Sequence, residues 1–250
     1  MSGRPVTIKI GGVAGSHAAS VDMLARMAPP STVLVHGGGA EVADWSRRLG
    51  LEPRVHDGLR VTDSATLEVV IAVLGGVVNT RLVAALSAAG RPSVGLTGAD
   101  GELLRVRRRE PAFGEVGEVT GATTSLLDTL LGAGLLPVVA SIGLHDGALL
   151  NVNADEAAGA IAAARGGLLL LCTDVPGVMR DGGVLDRLDG DAVERMLADG
   201  SASAGMRPKL RAALGAARGG CDVRIVDGRS VADLQAALAG SPAGTAVSAA

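Results

Sequence analysis

Aromatic side chains are almost absent from this sequence of 250 residues, which holds one Trp, one Phe and no Tyr. Proteins that read single-stranded nucleic acid stack bases on aromatic rings, so that class is excluded. A net charge of -3 offers no basic field to a duplex either. Cysteine is equally sparse. Cys172 and Cys221 stand in apolar runs, outside any CxxC or Cys/His spacing. That argues against metal sites and a disulfide framework, and it fits a reduced, cytoplasmic compartment. No apolar run reaches transmembrane length and the chain opens on a strand rather than a leader, so no membrane partner is expected. Lysine is the least expected shortage. Among 23 Lys plus Arg, only Lys9 and Lys209 are lysine.

Familiar catalytic fingerprints are missing as well. There is no GxxxxGK[ST], and "HGGG" follows the second strand where a GxGxxG fold would place a ribose-binding acid. No Ser/His/Asp or Cys/His arrangement stands out, and His36 is read simply as the end of a strand.

What is present is a rhythm. Short apolar runs at 6–10, 32–36, 93–97, 136–142, 168–173 and 223–227 are nearly continuous, as strands covered on both faces are. Helical stretches separate them at 17–28, 40–49, 64–89, 123–133, 154–165, 191–199, 207–219 and 230–239. The alternation predicts a three-layer α/β/α sandwich with a mostly parallel central sheet. A soft division near residue 165 separates a lobe of residues 1–165 from one of 166–250. The segment 64–89 is apolar almost all round, which suits either a buried core helix or a subunit interface. Residues 102–121 read as a β-excursion at the surface, and "HDGA" at 145–148 as a hairpin turn.

Open parallel sheets bind ligands beyond the carboxyl ends of their strands. Here those ends carry Gly11 and Gly12, then Gly37, Gly38 and Gly39, then "TGADG" and "TDVPG". Glycine lets backbone N–H groups approach an anion, so several such turns on one edge point to a polyanionic ligand. Lys9 sits between Ile8 and Ile10 and either snorkels to the strand end or reaches a phosphate; the adjacent glycines favour the phosphate. Lys209 follows Pro208 in a helix's first turn, where a cation opposes the macrodipole by a few tenths to about 1 kcal/mol. It is either a solvated surface charge or the partner of a bound anion. In "NVNADEAAG", Asn153 and Glu156 form a capping box, and Asp155 suits the dipole. Asp155 could also pair with one or both lysines, and capping leaves Asn151 unexplained. Arg60 in "DGLRVTD" is either solvated or a carboxylate clamp.

The ordered set "KIGG", "VHGGG", "GLRVTD", "VNTRLV", "GLTGADG", "GEVGEV", "NVNADEAAG", "CTDVPGV" and "GMRPKLRAAL" resembles the amino acid kinase superfamily, and within it the N-acetyl-L-glutamate kinases, over about residues 6–229. The resemblance implies ATP- and Mg²⁺-dependent phosphorylation of the γ-carboxylate of N-acetyl-L-glutamate, in arginine biosynthesis. It implies that Lys9 and Lys209 flank the transferring phosphoryl group and that Asp155 organises both. It assigns acyl-amino-acid contacts to Gly38, Gly39, Arg60 and Asn151, in the N-terminal lobe. Nucleotide contacts fall to Thr173, Asp174, Val175, Pro176, Gly177 and Val178, and to residues 201–203, with Gly11 and Gly12 on the phosphates; no residue is assigned as a metal ligand. Arginine-inhibited members carry an extra N-terminal helix that links dimers into hexamers. With strand one starting near residue 6, the expectation is an arginine-insensitive homodimer with helix 64–89 in its interface. Related enzymes of lysine biosynthesis act on aminoadipate or glutamate attached to an acidic carrier protein, which "RVRRRE" at 105–110 could receive; a charged, solvated strand edge explains that patch as well. A nucleotide-binding sensor without turnover is a third reading.

Overall fold

The computed structural model describes residues 3–11, 17–56 and 58–250. Gly12, one of the expected phosphate contacts, lies outside the described residues.

The first half alternates strand and helix as the apolar rhythm predicts: β1 (Val6–Ile10), α1 (Ala18–Met27), β2 (Thr32–His36) and α2 (Gly39–Arg48). A small hairpin follows, β3 (Arg54–His56) and β4 (Leu59–Val61), and then the long helix α3 (Ser64–Ala88). Next come β5 (Ser93–Thr97), β6 (Leu104–Arg108), β7 (Val116–Ala122), α4 (Ser125–Gly132), β8 (Leu136–Ala140), β9 (Ile142–His145), β10 (Ala148–Val152) and α5 (Ala154–Arg165). The last third holds β11 (Leu168–Thr173), β12 (Met179–Arg180), β13 (Gly183–Val184), β14 (Arg187–Leu188), α6 (Gly190–Ala198), α7 (Met206–Arg218), β15 (Asp222–Asp227), α8 (Val231–Leu238) and β16 (Thr245–Val247).

Eight strands form the central sheet in the order β14-β16-β15-β11-β1-β2-β8-β5. Every pairing in it is parallel except β15 with β16. Alternate residues of each strand feed different cores. Val33, Val35, Leu169, Leu171 and Ile225 pack under α5 and α7, while Leu34, Leu168, Leu170 and Val226 pack under α1, α3 and α8. Both faces are therefore apolar, which is why the strands read as unbroken hydrophobic runs. On β1 the same alternation sends Val6, Ile8 and Ile10 to the α1/α3/α8 side and leaves Thr7 and Lys9 on the opposite face. The division near residue 165 falls between β11 and β1, which are hydrogen-bonded neighbours in this one sheet.

Four sequence expectations change. The run 136–142 is two strands: β8 ends at Ala140, and β9 leaves the sheet from Ile142. The supposed surface excursion instead closes with the β9–β10 hairpin into a small barrel, order β10-β7-β6-β9. Its inward side chains are core, with Leu104, Val106 and Val116 all buried. Helix α3 is not a regular helix: Ser64–Val70 and Asn79–Ala88 are α-helical, and Ile71–Val78 between them is a π-helix. Finally, α3 is long and apolar enough to cross a membrane by length and composition, contrary to the expectation that no run reaches that length. One side packs on the sheet and α2 through Val70, Val73, Leu74, Leu82 and Leu86. The other exposes small residues: Ala65, Ala72, Gly76, Ala84, Ala85 and Ala88.

Candidate active site

The site assembles at the carboxyl edge of β1 and β2, where parallel sheets expose strand ends and helix starts. Strand alternation points Lys9 toward α5, whose first turn carries Asp155. From the other flank α7 brings Lys209. One carboxylate oxygen, Asp155 Oδ1, receives both ammonium groups, at 2.9 Å from Lys209 Nζ and 3.2 Å from Lys9 Nζ. Lys209 and Asp155 are buried and Lys9 nearly so, with side-chain exposures of 6%, 9% and 12%. Burial pushes the Asp155 carboxyl up; Lys9 and Lys209 together reverse this and hold it below its ordinary value. Burial, opposed by Asp155, holds the Lys209 ammonium below its ordinary value. Two positive charges on one negative charge leave a net positive centre among little-exposed side chains, which is an electrostatic demand for an anion.

The local sequence explains these placements. Asn153 caps α5, its Oδ1 accepting from the N–H groups of Asp155 and Glu156. The expected capping box is only half formed, because the Glu156 side chain accepts from Arg109 Nη2 at 2.6 Å instead of turning back on the cap. The barrel brings Arg109 against α5, and a charged partner outcompetes a backbone N–H. Helix α7 begins at Met206, two residues before Pro208, so Lys209 is its fourth residue and closes the first turn. Its penalty against the helix dipole is already offset by Asp155, without any ligand. A Cβ at Gly11 would lie 2.9 Å from Lys9 Nζ and would displace the ammonium group. Gly38 is more constrained, with a Cβ position 2.7 Å from the buried Leu74 of α3.

A cavity of about 570 Å³ adjoins the triad. Lys9, Gly11 and Asp155 line it, as do Gly38 and Gly39 of the turn after β2, Arg60 of β4 and Asn151 of β10. The expected acyl-amino-acid contacts therefore share one space with Lys9, Gly11 and Asp155. Arg60 Nη2 donates to the Gly39 carbonyl at 2.7 Å, while its Nη1 is buried with no acceptor in the protein. Burial, then the nearby Arg47, depresses the Arg60 pKa. An orphaned guanidinium N–H is a place for a ligand oxygen. Asn151 Nδ2 donates to Thr62 Oγ1 at 3.0 Å, which fixes the amide and leaves its oxygen unused by that bond. The β3–β4 turn reaches the loop before α7: Gly58 has φ +78°, and a Cβ there would lie 2.5 Å from the Ala204 carbonyl.

The nucleotide segment is not part of that cavity. Thr173–Val178 continues β11 at the same sheet edge, beside β1. Asp174 and Pro176 are exposed, whereas Gly177 and Val178 are buried. Val178 gives its N–H to Thr245 Oγ1, and Gly177 packs on Thr245 and Val184, so both serve the core as well as the segment's path. Ala202 is buried between the exposed Ser201 and Ser203. Two polar cavity residues, Arg47 and Ser141, were not singled out from sequence, nor was Thr62, the partner of Asn151. Gly39, Ala43 and Arg47 recur every four residues along α2 and all line the cavity, so helical spacing counted from the glycine turn could have found Arg47. Ser141 sits where β8 gives way to β9, and Thr62 meets Asn151 across 89 residues; no local pattern marks either.

The amino acid kinase family model matches residues 6–227. The chain belongs to the amino acid kinase family. The acetylglutamate kinase of Rubrobacter xylanophilus is 45% identical over 246 residues, covering 98% of this chain and 97% of that one. The acetylglutamate kinase of Methanopyrus kandleri is 46% identical over 232 residues, covering 88% and 93%. Among solved structures, a protein of Streptococcus mutans UA159 superposes with a TM-score of 0.84 at 27% identity, covering 98% of each chain. As an amino acid kinase family member, the protein places its lysine–aspartate–lysine triad on β1, α5 and α7.

Proposed function

We infer that this amino acid kinase is an acetylglutamate kinase, transferring the γ-phosphoryl group of ATP to the side-chain carboxylate of N-acetyl-L-glutamate in arginine biosynthesis. The observation that carries this reading is the single buried carboxylate shared by two lysines beside a cavity with an orphaned arginine N–H. A carboxylate acceptor is ionised at neutral pH and needs no general base. The one acid among these residues, Asp155, is committed to two ammonium groups and is a poor base. A carboxylate oxygen attacks Pγ, the bond from Pγ to the β,γ-bridging oxygen breaks, and ADP leaves with that electron pair. Such a transfer depends on alignment and on neutralising charge over the phosphoryl oxygens and the leaving oxygen. Lys9 and Lys209 supply that charge, and Asp155 is the positioning residue that holds them. Arg60 clamps the α-carboxylate of the acceptor, Asn151 accepts from its amide N–H, and Gly38 and Gly39 let it approach the backbone. Thr173–Val178 and Gly11 serve the nucleotide from the β11 side.

Among the described residues no group of three or more His, Cys, Asp or Glu could hold a metal ion, and Asp155 is already paired twice. The protein side of the site therefore does not fit a resident metal; Mg²⁺ would arrive on the phosphates of ATP. The exposed small-residue face of α3 supports a homodimer built on that helix, and the need for ATP supports a cytoplasmic location. The acidic-carrier reading is weakened, because three of the four arginines in the basic patch are paired within the protein: Arg107 with Glu118, Arg108 with Glu115 and Arg109 with Glu156.

The test is ATP-dependent hydroxamate formation, run side by side with N-acetyl-L-glutamate and with carrier-linked aminoadipate. Turnover with the first alone is expected. Preference for the carrier-linked substrate, or no turnover with either, would overturn the reading.

A further inference from the structure

In the sequence His36 ends a strand, and Asn79, in "VNTRLV", carries no evident role. In the structure they touch. Asn79 Nδ2 lies 3.0 Å from His36 Nε2 and 2.9 Å from the Val138 carbonyl, with the Leu96 carbonyl at 3.3 Å. His36 Nδ1 lies 2.9 Å from the Gly37 carbonyl. A carbonyl only accepts, so Nδ1 carries the proton and Nε2 accepts from Asn79. Both side chains are buried, and burial pulls the His36 pKa down to about 4, so the ring is neutral at physiological pH.

The sequence is shaped around this contact. Asn79 Oδ1 occupies the space above Gly95, where a Cβ would lie 1.9 Å from it. Asn79 is also the first residue beyond the π-helical turn of α3. A π turn holds an extra residue, which rotates everything after it by roughly 100° relative to a regular helix. Without it, Asn79 would leave the sheet. The same turn supplies Leu74 and Val78, which close the space at Gly38, 2.7 and 3.2 Å from its Cβ position. The π turn thus meets the Gly37–Gly39 turn twice: through packing on Gly38, and through hydrogen bonds that run from Asn79 to His36 to Gly37.

We propose that His36 and Asn79 are positioning residues for acceptor binding: the neutral imidazole, held by the π-turn asparagine, pins the Gly37 carbonyl and so sets the glycine turn that faces the acyl amino acid. This rests on the acetylglutamate kinase reading. The turn belongs to the acceptor cavity and not to the Thr173–Val178 segment, so disturbing it acts on one substrate. His36→Leu and Asn79→Leu should each raise KM for acetylglutamate about tenfold, the effect of losing a buried hydrogen bond, while KM for ATP stays within twofold. His36→Asn keeps a donor at the δ position and should recover to within about threefold of wild type. A purely structural role would instead lower the active fraction and leave both KM values unchanged; that result, or unchanged kinetics in folded Leu variants, overturns the proposal. Nitrogen-15 NMR of the wild-type imidazoles decides the point even if the Leu variants do not fold. A neutral Nδ1–H tautomer for His36 at pH 7 is expected, and an Nε2–H tautomer or an imidazolium overturns it. Wild-type protein without hydroxamate formation would overturn the kinase reading and this inference together, whereas active wild type with indifferent variants overturns this inference alone.

Discussion

Replacing Asp155 with asparagine tests the electrostatic core of the site. The exchange is nearly isosteric, and the cap bond from the Asp155 N–H to Asn153 is untouched. What disappears is the negative charge that Lys9 and Lys209 share, at 3.2 and 2.9 Å. Removing one partner of a buried ion pair costs about 3–5 kcal/mol, because the remaining charge has neither water nor counterion. Asparagine still accepts a hydrogen bond, so about 3 kcal/mol is expected at pH 7, out of a total stability of roughly 5–15 kcal/mol. The sign with pH follows from the lysine. Burial already lowers Lys209, and Asp155 opposes that. Without Asp155 the folded-state pKa falls further, while the unfolded value stays near 10.5. Between those two values the unfolded chain binds more protons, so the variant gains stability as pH rises, and its deficit against wild type narrows toward pH 10. At the acid end, wild type itself loses the contribution of the depressed Asp155 as pH falls below about 3.8, and the difference shrinks again. Urea unfolding at several pH values measures all of this, and kcat should fall about 10- to 100-fold because the lysines are no longer held. A variant within 1 kcal/mol of wild type, with a difference independent of pH, would mean that the lysines are solvated and the argument is wrong.

Three further outcomes follow from the same geometry. Lys209→Arg should lose most of kcat although charge is kept, since a planar fork cannot occupy the buried position of a compact ammonium; near-normal turnover would remove Lys209 from the transition state. Arg60→Ala should raise KM for acetylglutamate with a smaller effect on ATP, and equal effects on both substrates would place Arg60 elsewhere. Ala84→Glu puts a charge on the exposed face of α3 and should shift sedimentation from dimer to monomer; an unchanged dimer would move the interface off this helix.

Much of the architecture was legible before any coordinates. Apolar runs located all six principal strands, because a strand covered on both faces has no polar positions to interrupt it. The eight helices fell within a few residues of their observed bounds, and Asn153 was visible as a cap. Errors arose where a local pattern had a distant competitor. Glu156 satisfies a capping box by spacing, yet Arg109 lies 47 residues away in sequence and arrives only when the barrel forms. The run 136–142 reads as one strand, but its pairing changes from sheet to barrel at Ser141. The π turn of α3 could not be read from sequence, since Ile71–Val78 holds no proline or charged residue to interrupt the helical pattern.

By itself, the sequence determined the parallel sheet, the glycine turns at its carboxyl edge and the isolation of two lysines among many arginines. Those properties depend on side-chain period, backbone conformational freedom and composition, all of which are local. Tertiary structure alone decided which charges meet. Lys209 and Asp155 are 54 residues apart, and Asn79 and His36 are 43 apart. Strand order and the packing of α5 against α7 bring Asp155 between both lysines, and a single extra residue per turn in α3 brings Asn79 to His36. A contact of about 3 Å between distant segments depends on the register of every element between them, and no pattern of neighbouring residues encodes it.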